Sequence, residues 1–274
     1  MHCETWQSAR SSQTKGKVML PSQRHQIILS LVSDQPAVSI RELTESLGVS
    51  RETVRKDIEH LAGENRLLQV RGGATRILTA ERPMQTRATT NREGKARIAA
   101  HVAAQIDDGA SIFIDNGSTT LAVAVALARL RQDLIVYTND LKIAEVIGPA
   151  AREVTVLGGR LDLDVGATFG LVTLEHLSHY RAEYALIGGG GVSARALFTD
   201  FSREAAEMRL RMMQQAEEAL ILVDSSKFGE VGQVVLGPLP KGVRMVSELA
   251  PPDEISAALT AASVRVDLAD SVSE

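Results

Sequence analysis

Two groups of polar residues in this chain have types and spacings suited to holding anions. The first centres on Ser50-Arg51-Glu52-Thr53-Val54-Arg55-Lys56, where hydroxyls and cations crowd the head of an amphipathic stretch. Ser50, Arg51, Thr53, Arg55 and Lys56, with Ser39 before them and Arg71-Gly72-Gly73 after, supply donors and open backbone that meet the phosphates and base edges of a duplex. The second group is scattered along the chain and recurs just after apolar runs. Asp115, Gly117, Ser118, Thr119 and Thr120 follow one run, Asn139 the next, Gly159 and Arg160 a third and Gly189 a fourth, with Asp200, Arg209 and Lys227 further on. Hydroxyl, amide and carboxylate groups suit a polyol. Gly117 to Thr120 with Lys227, and Arg160 or Arg209, suit an attached phosphate, because the free N–H groups at a helix start favour an anion. Each feature also has a purely structural counterpart: a Ser-Thr pair after a strand caps a helix, and glycines at strand ends let helices pack closely.

The elements that must position the first group are legible from periodicity. Ile40, Leu43 and Leu47 fall at helical spacing, Gly48 supplies the left-handed residue of a tight turn, and Val49 points inward. Ser50 caps a second helix with Val54, Ile58 and Leu61 as its buried stripe, leaving Glu52, Thr53, Arg55 and Lys56 outward. This is a helix-turn-helix. Arg66–Val70 and Thr75–Leu78, about the glycines Gly72 and Gly73, read as two strands of a wing. Pro21 and Ser22 open a first helix whose Ile27, Ile28, Leu31 and Val32 face the other two. The module spans residues 21–78. Residues 1–20 read as a disordered polar arm, with Met19 resembling a natural start.

Composition bounds the rest. A chain of 274 residues, 44% hydrophobic and 23% charged, is expected to form two globular domains in the cytoplasm. The single cysteine, Cys3, excludes a disulfide framework and a cysteine-based metal site, and no cofactor or metal is expected. No apolar run reaches the roughly 20 residues that span a bilayer, so no membrane partner is expected. The net charge of −4 divides into +2 over residues 1–20, +1 over residues 21–76 and −7 beyond. The case for DNA therefore rests on pattern and placement more than on field.

Residues 79–91, TAERPMQTRATTN, have the composition of a linker. Residues 92–106 then read as a helix, and apolar runs alternate with helix-length segments from Ser111 to Leu268, which predicts a parallel sheet covered by helices over residues 92–268 and a tail at 269–274. Ligands of such sheets bind beyond the carboxyl ends of the strands, where the second polar group stands. The four glycines Gly188 to Gly191 make a weak dinucleotide motif, because Ser193 takes the place of the third required glycine.

In combination, RHQIILSLV, VSRETVRKDIEHL, QVRGGA, IFIDNGSTT, YTND, VTVLGGRL and ILVDSSKFG resemble the DeoR family of bacterial transcriptional regulators, from about Gln23 to about Leu268. The resemblance implies a winged helix joined to an α/β sensor domain similar to ribose-5-phosphate isomerase. It further implies repression of a catabolic operon until a phosphorylated sugar or polyol binds. IFIDNGSTT and LFTDFSREA look most similar to repressors of glycerol-3-phosphate metabolism. One departure stands at Glu204-Ala205-Ala206-Glu207-Met208-Arg209, where Met208 takes a position that family members commonly fill with lysine, leaving Arg209 as the sole cation there.

The expected partners are operator DNA, a sugar or polyol phosphate and a second copy of the chain, as a homodimer or homotetramer, since operators are usually read by symmetric proteins. The rival reading is a sugar-phosphate isomerase-like enzyme with Asp115 or Asp200 as base and Lys227 steadying the charge; a DNA-packaging protein is a third.

Overall fold

The computed structural model describes residues 19–34, 37–64, 66–70, 72–75, 81–195 and 197–269. The chain divides into two units that meet in sequence at residues 74 and 75.

In the first unit, α1 (Pro21–Asp34), α2 (Ile40–Leu47) and α3 (Arg51–Gly63) surround a core of Ile28, Val32, Leu43, Leu47, Val54, Ile58 and Leu61. Each such side chain contributes about 1.5–3 kcal/mol when fully buried. The turn is as the spacing predicts: Gly48 is left-handed with φ 63°, and its N–H donates to the Thr44 carbonyl. Three strands, β1 (Ala37–Ser39), β2 (Leu68–Val70) and β3 (Gly73–Thr75), form a sheet in the order β1-β3-β2. Of the expected second wing strand at Thr75–Leu78 only Thr75 is described, as the last residue of β3, which starts earlier, at Gly73; residues 76–80 lie outside the described set. β1 escapes the sequence reading because three residues are too few to show alternation. Met19 packs against this core and its carbonyl accepts from Arg24 Nη1, so it is not part of the arm expected over residues 1–20; residues 1–18 lie outside the described residues.

Both recognition-side helices start on a capping serine. Ser39 Oγ accepts from the Glu42 N–H at 3.2 Å while Glu42 answers the Ser39 N–H, and Ser50 Oγ accepts from the Thr53 N–H at 3.1 Å. Replacing Ser39 by alanine is expected to cost the first unit about 1 kcal/mol, read as a lower midpoint in urea with an unchanged slope.

The stretch expected to join the units, residues 79–91, carries α4 (Met84–Thr89), which buries Arg87, and Asn91, which caps α5 (Arg92–Gln105). Then follow β4 (Ser111–Ile114), α6 (Ser118–Leu130), β5 (Leu134–Thr138), α7 (Leu141–Ile147), β6 (Ala151–Val156), the hairpin of β7 (Arg160–Asp162) and β8 (Ala167–Phe169), and α8 (Leu171–Leu177). After β9 (Ala182–Gly188) come β10 (Gly191–Ser193), β11 (Leu197–Asp200), α9 (Arg203–Gln214), β12 (Ala216–Leu222), β13 (Val234–Val235), β14 (Arg244–Ser247), α10 (Asp253–Ala261) and β15 (Arg265–Leu268).

Seven strands form one parallel sheet in the order β15-β14-β12-β9-β4-β5-β6. Alternation assigns its faces. Ile112, Ile114, Leu186, Leu220 and Leu222 face α5 and α6, whereas Phe113, Ala185, Ile187 and Ile221 face α8, α9 and α10. Burial on both faces explains why these runs read as continuous apolar stretches in the sequence. The chain leaves β4 toward β5 and β6 and returns on its other side through β9, so the order reverses between β4 and β9. That switch point is where an open α/β sheet leaves a crevice.

Candidate functional sites

On α3, the turn and caps decide which side chains are free. Val54, Asp57, Ile58 and Leu61 are buried, which puts Arg51, Glu52, Arg55 and Lys56 on the exposed face with Thr53 at its edge. Arg51, Arg55 and Lys56 take part in no ion pair among the described residues, so their charge is available to a phosphate backbone. The face is anchored from beneath by Asp57, which accepts from Arg24 Nε at 2.6 Å, Arg24 Nη2 at 2.9 Å and lies 3.1 Å from His25 Nε2. Burial alone would raise the Asp57 carboxyl, but these hydrogen bonds and charges hold it below the usual aspartate range. Ser39 and Ser50 spend their oxygens on the caps. Arg71 lies outside the described residues. Gly72 is exposed, with its carbonyl accepting from the Ile40 N–H at 2.7 Å. Gly73 has a different task from the expected groove contact: it is buried, and a Cβ there would strike the Val38 carbonyl, so its missing side chain serves the close approach of β3 to β1.

In the second unit, Asp115 leaves the end of β4 fully buried at the switch point. Its Oδ2 accepts from the Gly188 N–H at the end of β9, at 3.1 Å, and from Arg209 Nε on α9 at 2.6 Å. Arg209 also pairs with Asp200, whose other oxygen takes the Phe201 and Ser202 N–H groups. Burial pushes the Asp115 carboxyl up, and the guanidinium and the Gly188 N–H oppose that. Arg209 is therefore the clamp of two carboxylates and is 4% exposed, not the free phosphate ligand expected of it. Its neighbour Met208 packs into the apolar core, so no lysine equivalent stands there.

Around Asp115 lie buried polar atoms without a hydrogen-bond partner: Asp115 Oδ1, Asn116 Oδ1, and Asn139 Oδ1 at the end of β5, whose Nδ2 donates to the Thr168 carbonyl. Such groups are costly unless something fills their valence, which makes the strand ends a candidate ligand site. Gly117 caps α6, Ser118 is partly exposed, and Thr119 and Thr120 are buried, Thr120 Oγ1 donating back to the Gly117 carbonyl. Asp140, next to Asn139, caps α7 through the Lys142 and Ile143 N–H groups, and burial raises its carboxyl.

Other expected residues fall into separate arrangements. Gly159 is left-handed, φ 133°, and the space of its Cβ is taken by Thr173 and the Phe169 carbonyl. Arg160 is exposed and pairs with Glu204 on α9. Gly189 is partly buried, with Val223 3.3 Å from where its Cβ would be. Lys227 pairs with Glu230 at 3.4 Å.

The sequence reading placed Asp224 at a polar strand end but missed Asn91, Lys95 and Glu248, which join it in a network over the ends of β12 and β14. Asn91 Nδ2 donates to Asp224 at 3.1 Å and to Glu248 at 2.6 Å, Lys95 Nζ lies 3.2 Å from Asp224, and the Ser225 N–H donates to Glu248 at 3.0 Å. Burial would raise Glu248, but the Ser225 and Asn91 hydrogen bonds hold it below the usual range. The available signal was Asp224-Ser225-Ser226 after an apolar run; Glu248, right behind the next strand, obeys the same rule. No group of three or more His, Cys, Asp or Glu suited to a metal occurs among the described residues, and no helix there is long and apolar enough to cross a membrane.

Residues 24–80 match the DeoR-like helix-turn-helix domain and residues 90–248 the DeoR C terminal sensor domain. The chain is 31% identical over 254 residues to the protein named glycerol-3-phosphate regulon repressor in Escherichia coli (strain K12), covering 91% of this chain and 100% of that one. It is 31% identical over 215 residues to the HTH-type transcriptional repressor GlcR of Bacillus subtilis (strain 168), covering 77% and 82%. Ribose 5-phosphate isomerase A from Methanocaldococcus jannaschii is a similar solved structure at TM-score 0.37 and 16% identity, over 50% of this chain and 55% of that one.

Proposed function

We propose that this chain, which belongs to the DeoR family of DNA-binding transcriptional regulators, represses a sugar or polyol catabolic operon and leaves its operator when a phosphorylated sugar or polyol binds the second unit. The observation that carries the reading is the presence, in one chain, of a cationic face on α3 that is unpaired among the described residues and a strand-end crevice lined by buried polar atoms that lack hydrogen-bond partners among them. Arg51, Arg55 and Lys56 hold phosphates and base edges, with Ser50 and Thr53 at the helix head and Arg71 with Gly72 at the wing. The hydroxyls of the ligand meet Asp115, Asn116 and Asn139, and its anionic end is drawn to the N-terminus of α6. Glycerol-3-phosphate is the first ligand to try, because the relative from Escherichia coli carries it in its name.

Release requires the ligand to prefer the DNA-free state, and a coupling of about 1–3 kcal/mol would weaken the operator complex about 5- to 150-fold. A two-fold dimer suits a symmetric operator. An isomerase is disfavoured by the geometry, since Asp115 and Asp200 are both committed to Arg209 and neither is left as a free base.

Fluorescence anisotropy with promoter fragments selected from genomic DNA tests this. Specific binding released by one member of a sugar and polyol phosphate panel is the expected result. Equal affinity for selected and random fragments, or turnover of ribose-5-phosphate, would overturn it. Arg55→Ala and Lys56→Ala are each expected to weaken binding and to flatten the dependence of log affinity on log salt by about 0.9 per lost phosphate contact.

A further inference from the structure

The seven-stranded sheet ends on β15, and no strand pairs with the outer side of β15 among the described residues. The Ala269 N–H donates to the Ser247 carbonyl on β14, and alternation turns the backbone of Arg265 and Asp267 the same way. Val266 and Leu268 therefore aim their N–H and C=O groups outward. Such an edge is a template for a further strand. Beside it runs an open groove of about 640 Å³ whose lining includes Val264, Val266, Leu268, Ala250 and Pro251, with Leu268 43% exposed.

The side chains of the edge are sorted by the same alternation. Val266 packs toward α10, whereas Asp267 lies on the α5 side, 3.1 Å from His101 Nε2 and 3.0 Å from Arg244 Nη1. Arg265 shares that side, is exposed, and takes part in no ion pair among the described residues. A two-fold axis normal to the sheet would lay the β15 of a second copy antiparallel on this one, so that only residues an even number of positions apart stand opposite each other. One register then opposes unlike charges. Centred on Val266, it sets Arg265 against the partner's Asp267, twice by symmetry, and Leu268 against the partner's Val264. Because the outward groups of Val266 bond across the centre, Arg265 and Asp267 form the pair type whose side chains come closest. The other edge of the sheet lacks such a register. On β6, Arg152 and Glu153 are adjacent, so every symmetric pairing sets each against itself or an uncharged residue of the strand.

We infer that two copies of this chain join through β15, edge to edge, in the register centred on Val266. The inference goes beyond the operator reading above, which calls for a two-fold but names no surface. β15 also lies past residues 90–248, the stretch that matches the sensor domain.

Sedimentation velocity of the full chain tests it, with Arg265→Asp, Asp267→Lys and an equal mixture of the two. The wild type is expected to be a dimer. Each reversal brings like charges together at two symmetric places and is expected to raise the dissociation constant about hundredfold, about tenfold for each pair. The mixture is expected to recover a dimer, since each variant supplies the charge that the other now needs, and damaged folding cannot produce that recovery. A monomeric wild type, reversals that leave the dimer intact, or dissociated variants that fail to recover on mixing would each overturn the inference. So would a wild-type monomer that pairs only after removal of residues 270–274, because the chain's own tail would then be the occupant of the edge. Operator binding is read separately. Specific, ligand-released DNA binding with both reversals still dimeric leaves the repressor reading standing while this one falls, and charge-dependent dimers that never distinguish operator from random DNA do the opposite.

Discussion

Arg209→Met is expected to destabilise the second unit by about 3–5 kcal/mol, the cost of breaking a buried ion pair by removing one partner. The variant removes the guanidinium from between Asp115 and Asp200, both of which are buried. Each carboxylate keeps backbone N–H donors, the Gly188 N–H for Asp115 and the Phe201 and Ser202 N–H groups for Asp200, so the fold should persist with a weakened transition. The pH dependence carries the sign of the mechanism. A buried acid whose folded pKa is raised above its unfolded value costs stability above that raised pKa, and the cost fades as pH falls and both states become protonated. Asp115 is already pushed upward by burial, and losing Arg209 pushes it further. The gap between wild type and Arg209→Met should therefore be widest at neutral pH and narrow in acid. Urea unfolding followed separately for each unit would show it; a gap under about 1 kcal/mol at pH 7 would mean that Arg209 is not what stabilises the crevice.

Asp57→Ala is expected to cost the first unit about 2 kcal/mol, below the value for a deeply buried pair because solvent reaches this pair at the edge of a small unit. The substitution leaves the Arg24 guanidinium without its bidentate partner and frees the inner side of α3, so DNA affinity should fall although Asp57 faces away from the exposed surface. Here the sign is opposite. The folded pKa of Asp57 lies below its unfolded value, so its stabilisation is fully present above the ordinary aspartate pKa near 4 and is lost as pH falls through the depressed value. Wild type and Asp57→Ala should converge in strong acid and diverge above about pH 5. A parallel loss at every pH would point to packing instead of charge.

The second unit shows how polar sequence can mislead. TAERPMQTRATTN has little apolar content and a proline, which is why it reads as a connection between modules. In the folded chain, α4 owes its place to Arg87, whose burial is tolerated because Glu81 and the Arg82 carbonyl sit within hydrogen-bond reach. Glu81 and the Arg82 carbonyl come from the same stretch, but α6, which packs against the helix, is distant in sequence. Short strands were missed because β7, β8, β10 and β11 have three or four residues, too few for alternation to show, and are held by pairing with each other across short turns and, for β11, with β13.

What the residue order determined by itself is whatever depends on neighbours three, four or two positions apart. The turn at Gly48, the caps at Ser39 and Ser50, the buried stripe of α3 and the boundaries of β5 and α7 all follow from local spacing, because helix and strand periodicity place side chains without reference to the rest of the chain. Tertiary structure alone decided which polar residues remain available to a ligand. Arg209 and Lys227 carry the same charge in the sequence, yet Arg209 is locked between two carboxylates from other elements while Lys227 shares Glu230 with an arginine 145 positions away. Ion pairing and burial are properties of three-dimensional neighbours, and only the folded sheet brings those neighbours within a few ångströms.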